Sequence, residues 1–226
     1  MSISHQIMNL GAVGGGGSTP TSLTFTGHSG NAVSSTNTIT ITWPTGTAEG
    51  DLLVTTVWVD NATPTFTTPT DWTLLGNGDT GEYPKAYTYA KVMTAADITA
   101  GSQDFVCNNA SYGLTGIALA LTPDGTISSF TGRNYVNDKG ASALSVSIVT
   151  TDVVAPTAAI AMLTGRPSQS PTMTFSGATI VTDQTGGGTR SAGYILYNSG
   201  ATVLSHSPTS SDNGRQSMSG FYIDVA

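Results

Sequence analysis

The residues that could carry out chemistry are few and lie far apart along the sequence. The three histidines, His5, His28 and His206, each stand among Ser, Thr or Gly residues. No two of them have the spacing of paired metal ligands, so we expect surface or hydrogen-bonded histidines and no bound metal. The single cysteine, Cys107, cannot form an intrachain disulfide, and its place in the run QDFVCN predicts a small buried side chain.

The carboxylates are arranged for chain turns rather than for acid–base catalysis. Nearly all of the twelve Asp and two Glu stand at the ends of apolar runs or in turns, where Asp caps and bends the chain. No pair stands out as the two carboxylates that a glycosidase needs. The many serines lack a nucleophile-elbow motif, and Gly14 to Gly17 lacks the Lys and Ser/Thr of a phosphate loop. The sequence therefore predicts no catalytic residue and no cofactor.

The aromatic side chains are the best candidates for contact with a ligand. Most of them fall in the first half of the chain: Trp43, Trp58, Trp72, Tyr83, Tyr87, Tyr89 and Tyr112. Such side chains serve as core and interface anchors or, when exposed, as platforms on which sugar rings stack. Trp43 and Trp58 lie inside apolar strand runs, which predicts burial. Trp72 and Tyr83 flank turns, so these two are the predicted positions of a ligand platform.

Composition argues against two classes of partner. Only 9% of the 226 residues are charged, and the seven Lys and Arg leave a formal net charge of −7. Binding to nucleic acid depends on basic residues that neutralise phosphates, so nucleic acid is not an expected partner. No apolar run is long enough to span a bilayer, and the N-terminus lacks the basic start and apolar core of a secretory signal. We expect a protein made in the cytoplasm, with no membrane partner.

Short alternating strands fill the sequence from Leu23 onward. In TITITW, Ile39, Ile41 and Trp43 alternate with three threonines, the period of a strand with one apolar face. Turn signals rich in Gly, Asn and Pro separate such runs, and residues 93–100 form the only helix-like segment, a turn at most. Many short strands without interleaved helices predict an all-β fold, an antiparallel jelly-roll-like β-sandwich.

One strand, GDLLVTTVWVD at residues 50–60, is apolar on both of its faces. One face is lined by Leu52, Val54 and Trp58, and the other by Leu53, Val57 and Val59. A two-layer sandwich covers only one face of a sheet, and a row of three exposed apolar side chains indicates a covered surface. We expect a neighbouring subunit, an arm or a long loop on the second face, which makes Leu53, Val57 and Val59 predicted interface residues.

Three short matches relate the two halves of the chain in the same order. The pairs are DLLV at 51–54 with DVVA at 152–155, AYTYA at 86–90 with GYILY at 193–197, and LTGIALAL at 114–121 with MSGFYIDV at 218–225. Their collinearity predicts a duplication with pseudo-repeats at about 36–125 and 143–226. The halves could form two Ig-like sandwiches or interleave as four plus four strands of one jelly roll. Because residues 126–142 contain no Pro-rich linker, a single domain at 21–226 is favoured.

Residues 1–20 differ in character from the rest of the chain. A weakly apolar stretch leads into the hinge Gly14 to Gly17. One interpretation is a disordered tail. The other is a flexible N-terminal arm that orders only against a neighbouring subunit, and it assigns interface roles to the residues that give this segment apolar surface to bury: Ile3, Ile7, Met8 and Leu10.

The order of several motifs resembles a known family. A GDLLV strand, the segment PTDWTLL at 69–75, a Tyr-rich strand and the return strand LTGIALAL are similar to those of the jelly-roll β-sandwich structural proteins of tailed bacteriophage virions. The similarity covers residues 36–226 and does not include the Gly-rich arm. Members of that family act as capsid decoration (cement) proteins or as tail and fibre modules.

The resemblance implies a non-enzymatic virion structural protein that is made in the host cytoplasm. The function it most directly implies is a decoration protein that stabilises the capsid shell through subunit contacts. Its expected partners are other copies of itself, for which a trimer fits the family, and the major capsid protein or tail proteins. The alternative is a tail or fibre module that binds a host receptor or carbohydrate.

Overall fold

The described part of the chain consists mostly of antiparallel β-sheets. The computed structural model describes residues 18–61, 63–78, 84–109 and 113–140, and then the segments 146–149, 157–164, 179–183, 190–197, 203–206 and 216–226. Within these residues there are fifteen strands and one short helix. All of the strand pairs are antiparallel. The predicted all-β class is confirmed.

The first half of the chain contributes eight of the described strands, in two sheets. The strands are β1 (Leu23–Val33), β2 (Thr38–Thr42), β3 (Leu52–Val59), β4 (Phe66–Thr67), β5 (Thr73–Asn77), β6 (Lys85–Val92), β7 (Ser102–Cys107) and β8 (Leu114–Pro123). Five of them form the central sheet, in the order β1-β8-β3-β6-β5, and three form the outer sheet, in the order β2-β7-β4. The first and last strands of this half are therefore neighbours.

The second half contributes the other described strands. These are β9 (Phe130–Gly140), β10 (Val146–Val149), β11 (Thr157–Thr164), β12 (Thr179–Asp183), β13 (Arg190–Tyr197), β14 (Val203–His206) and β15 (Gln216–Val225). Five of them form the second-half sheet, in the order β12-β13-β11-β15-β9, and β10 pairs with β14. Each described sheet takes its strands from one half only, so the four-plus-four interleaving considered from the sequence is not the observed arrangement.

The central sheet is the middle of three stacked layers. One of its faces packs on the second-half sheet, where Leu52, Val54 and Trp58 share a core with Phe221 and Ile223. The other face packs on the outer sheet. All eight residues of β3 are buried as a result. The apolar character of this strand on both faces thus follows from its position between two layers.

The outer sheet supplies the cover that the sequence predicts for the second face of β3. Leu53, Val57 and Val59 have no exposed surface, and they pack in one core with Ile39, Ile41, Phe66, Phe105 and Cys107 of the outer sheet. The assignment of these three residues to a subunit interface is therefore corrected: their own chain buries them. The apolar side of TITIT, which alternates with exposed threonines, is the surface that meets them.

The two five-stranded sheets have the same strand order within their halves. Read from one edge, β1-β8-β3-β6-β5 corresponds position by position to β9-β15-β11-β13-β12. The contacts between the sheets follow a two-fold pattern, because β1 lies against β12 and β13 while β5 lies against β9. Likewise, β2 contacts β1 and β8, and β10 contacts β9 and β15.

The helix α1 (Ala95–Ala100) joins β6 to β7 and is longer than the turn expected from the sequence. The Thr94 side chain caps its start by accepting a hydrogen bond from the Asp97 backbone N–H, and the Asp97 carboxylate accepts one from the Thr94 backbone N–H. Gly101 ends it in the left-handed conformation, at φ of 72°. This reciprocal capping box stabilises a helix that buries no residue.

Candidate functional site

Trp72 is not an exposed ligand platform, contrary to the prediction from its position beside a turn. Its side chain is only 6% exposed and packs edge-on against Phe105, with the ring centroids 5.3 Å apart. The exposed residues of this turn are Thr70 and Asp71, and the backbone of Asp71 is left-handed with φ of 63°. Tyr83, the other predicted platform residue, lies outside the described residues.

Trp43 is instead the tryptophan that stays partly accessible. It is half-buried, with its ring centroid 6.3 Å from that of Trp72. Its indole Nε1 donates to the backbone oxygen of Asp97 at 2.6 Å, which fixes the ring beside α1. The sequence predicted Trp43 in the core, and the signal that it overlooked is Pro44, which marks the end of the strand run. The predicted burial of Trp58 and Cys107 is confirmed.

Asp97, whose backbone oxygen accepts the bond from Trp43, also forms an ion pair. Lys91 Nζ lies 2.7 Å from Asp97 Oδ1, and Thr94 Oγ1 donates to Asp97 Oδ2 at 2.7 Å. Partial burial raises the pKa of the Asp97 carboxyl, but the hydrogen bonds from Lys91 and Thr94 outweigh it and hold the pKa below the ordinary value of 3.8. Asp97 is thus ionised at neutral pH and joins β6, α1 and Trp43.

The charges of the chain are distributed unevenly between its halves. Residues 1–129 hold nine of the fourteen acidic residues but only two of the seven basic ones. Both of these lysines are engaged: Lys91 pairs with Asp97, and Lys85 is buried with its ammonium 5.4 Å from the centre of the Tyr87 ring. Exposed acidic side chains, Glu49, Asp71, Asp104 and Asp124, are left on this half, a surface that would repel a phosphate backbone.

Groups suited to metal binding are not assembled in the part of the chain that the structure describes. No cluster of three or more His, Cys, Asp and Glu there could hold a metal ion. Cys107 is a free, buried thiol. The half-buried ring of His28 stacks on Phe25, with centroids 6.4 Å apart.

A set of polar contacts between distant segments lies at the junction, which we define as residues 18–22, 124–129 and 226. Asp124 is its central side chain. Its Oδ1 accepts from the backbone N–H groups of Thr21 at 2.7 Å and Ser22 at 3.0 Å, and its Oδ2 accepts from Thr21 Oγ1 at 2.5 Å. These three bonds hold the pKa of the Asp124 carboxyl far below its usual range.

Backbone hydrogen bonds extend the junction at both ends of residues 124–129, which form the linker between the two halves. Asp124 N–H donates to Ser22 O at 3.2 Å, and Thr126 N–H donates to Ser18 O at 2.9 Å. Further along, the backbone N–H groups of Ser128 and Ser129 donate to Ala226 O at 2.6 and 3.0 Å, and Ala226 N–H donates back to Ser129 O at 3.0 Å. The segment that links the halves therefore lies between residues 18–22 and residue 226.

The junction includes the last residues of the predicted N-terminal arm, residues 1–20. Pro20 is buried, and a Cβ on Gly125 would collide with Ser18 O and come within 3.0 Å of Pro20 N. Ser18 and Pro20 thus lie against Gly125. The hinge Gly14 to Gly17 and the predicted interface residues Ile3, Ile7, Met8 and Leu10 lie outside the described residues.

Comparisons with known proteins add no assignment. The chain matches no protein-family model, no curated protein and no solved structure. In the described residues, none of the helical structure has the length and apolarity that a membrane-crossing helix requires.

Proposed function

We propose that this chain is a non-enzymatic structural protein of a bacteriophage virion, and specifically a capsid decoration protein. The observation that carries the proposal is the burial of both faces of β3 between two other sheets. Such a layered body buries apolar surface on both sides of its central sheet, and its outer sheet exposes the threonines Thr40, Thr42 and Thr67. A protein of this kind acts by filling and clamping surface, which needs no reactive group.

The anchored start of β1 supports a mechanical role for residues 1–17. Because Asp124 and Thr126 hold residues 18–22, any neighbour that binds the preceding segment is tied to a fixed point on the body. Ile3, Ile7, Met8 and Leu10 would supply the apolar contacts with that neighbour. A closed ring of three copies is one symmetric arrangement in which each arm reaches the next subunit.

The strand order supports a finer interpretation, a duplicated jelly roll. In the first half, β1-β8-β3-β6 faces β2-β7-β4, and strand orders with the first and last strands adjacent are typical of jelly rolls. The matching order β9-β15-β11-β13 in the other half favours duplication, with repeats beginning near residues 23 and 130 rather than 36 and 143. The segment before β1 bonds with the segment after β8, just as the segment before β9 bonds with Ala226.

Particle stability tests the decoration role. Purified virions that lack the protein would be mixed with the full chain or with a chain that begins at Ser18, and capsid rupture would be followed during heating. We expect the full chain to raise the rupture temperature and the shortened chain to raise it less. Equal protection by both chains would refute the arm, and protection by neither would refute the decoration role.

Trp43 favours a second candidate, a tail or fibre module that binds carbohydrate. Its half-buried ring is fixed by the bond to the Asp97 backbone oxygen and lies 6.3 Å, centroid to centroid, from the ring of Trp72. A sugar that stacked on it would change the tryptophan fluorescence of the protein. In a titration with a panel of neutral hexose oligosaccharides, we expect the fluorescence of the native chain to change and that of Trp43→Ala to stay constant. Unchanged fluorescence of the native chain would rule out this role for Trp43.

A further inference from the structure

We propose that residues Ser18–Ser22 form a strap that closes the junction between the two halves, with Asp124 as its fastening. The strap is a conformational device of the fold, and it does not depend on the virion role. Releasing it is expected to loosen not only the start of β1 but also the linker and its contact with Ala226.

Three hydrogen bonds from the strap converge on the Asp124 carboxylate. One carboxylate receives two backbone N–H groups and one hydroxyl from residues about a hundred positions earlier in the chain. Charge-assisted bonds of this kind fix position as well as distance. The Asp124 side chain is exposed, so competition from water, or from a partner that draws residues 18–22 away, can release these bonds.

Hydrogen bonds join the three segments of the junction one after another. The strap is bonded to residues 124–126, and only two residues further on Ser128 and Ser129 are bonded to Ala226. Ser128 strengthens this second contact, because its Oγ also donates to Ala226 O at 2.8 Å. Residues 124–129 span at most about 20 Å even when fully extended, so the two sets of bonds lie close together along the chain.

Gly125 packs closely against the strap. Its α-carbon faces the strap so closely that a single methyl group would collide with the backbone of Ser18 and Pro20. The linker and the strap are therefore packed against each other as well as hydrogen-bonded. A Cβ on Gly113, in contrast, would meet only Val33 O among the described residues, at an ordinary contact distance of 3.9 Å.

Hydrogen–deuterium exchange of the full-length protein tests the strap. The variants are Asp124→Ala and Gly125→Ala, which release it from its two sides. The matched controls are Asp104→Ala, which removes an exposed carboxylate bonded to one hydroxyl at 2.6 Å, and Gly113→Ala. We expect both strap variants to accelerate exchange severalfold in peptides that cover 18–24, 124–129 and the last residues of β15, while the controls leave all three unchanged.

Two outcomes would overturn the proposal. Faster exchange confined to residues 18–24 would make Asp124 a local cap for β1, with no coupling to the second half. Unchanged exchange in all three segments would mean that the strap contributes nothing to closure. Circular dichroism spectra of the variants that match the native spectrum would confirm that the comparison is made on folded protein.

Discussion

Ile41 of the outer sheet lies directly above Gly116 of the central sheet. A Cβ on Gly116 would be 2.8 Å from Ile41 Cδ1 and 3.1 Å from Val57 Cγ1. The outer sheet can approach the central sheet this closely because position 116 has no side chain. We expect Gly116→Ala to lower the free energy of unfolding by about 1–3 kcal/mol through overpacking, measured by urea denaturation. Gly113→Ala is the control, and an equal loss in both variants would contradict this packing.

The outer face of β3 gives a second prediction. Leu53→Ala would leave a cavity between the central and outer sheets and should cost about 2–5 kcal/mol. Val106→Ala is the control, because Val106 is 40% exposed on the outer sheet, and its cost should stay within about 0.5 kcal/mol. Sedimentation should give both variants the oligomeric state of the native chain. A change of that state in Leu53→Ala alone would return this residue to a subunit interface.

The buried hydroxyl pair of Thr56 and Thr88 should behave as a coupled unit. Their Oγ atoms lie 2.8 Å apart in the central sheet, and neither side chain is exposed. Removing one hydroxyl deprives the other of this hydrogen bond, so Thr56→Val should destabilise the fold by about 1–3 kcal/mol. The double variant with Thr88→Val should lose less than the sum of the two single losses. Additive losses in a double-mutant cycle would show that the two hydroxyls are independent.

The Asp97 carboxyl predicts an acid-dependent contribution to stability. Its pKa is lower in the folded chain than the ordinary value of 3.8, so folding favours the ionised form. The stabilisation is therefore present above that pH and is lost as the pH falls below it. Unfolding free energies of the native chain and Asp97→Asn should differ at pH 7 and converge toward pH 2. A difference that does not change with pH would mean that the charge of Asp97 has no role.

The N-cap of α1 gives a further prediction. Thr94→Ala removes the hydroxyl that accepts from the Asp97 backbone N–H and donates to the Asp97 carboxylate, and it should cost about 1 kcal/mol. Thr99→Ala is the control, since its hydroxyl only donates within the helix, to Ala95 O at 2.9 Å. Thermal unfolding should separate the two variants. An equal cost would indicate that the cap does not stabilise the helix.

Periodicity was sufficient to predict the fold class and several core residues, because alternation reports which side of a strand is apolar. It also predicted correctly that both faces of β3 are covered. It could not identify the cover, because the same apolar row is compatible with another subunit or with another sheet of the chain. The partner sheet is built from β2, β4 and β7, which are separated in sequence, and only their pairing reveals it.

The errors at the candidate site have local causes. Trp72 follows a turn, yet the packing of its ring on Phe105 outweighs the position of the turn. Trp43 belongs to an alternating run but stands beyond the last paired residue of β2, where coverage by a neighbouring strand ends. The capping box of α1 was readable as Thr94 and Asp97 at the required spacing. The junction could not be predicted, since its partners are about a hundred residues apart.

The central claim is that this chain is a structural component of a virion shell. The most direct measurement is quantitative mass spectrometry of intact, density-purified particles, with the major capsid protein as the internal standard. The decoration role predicts a fixed, simple ratio of this protein to the major capsid protein. A few copies per particle would instead indicate the tail, and absence of the protein from intact particles would contradict the account.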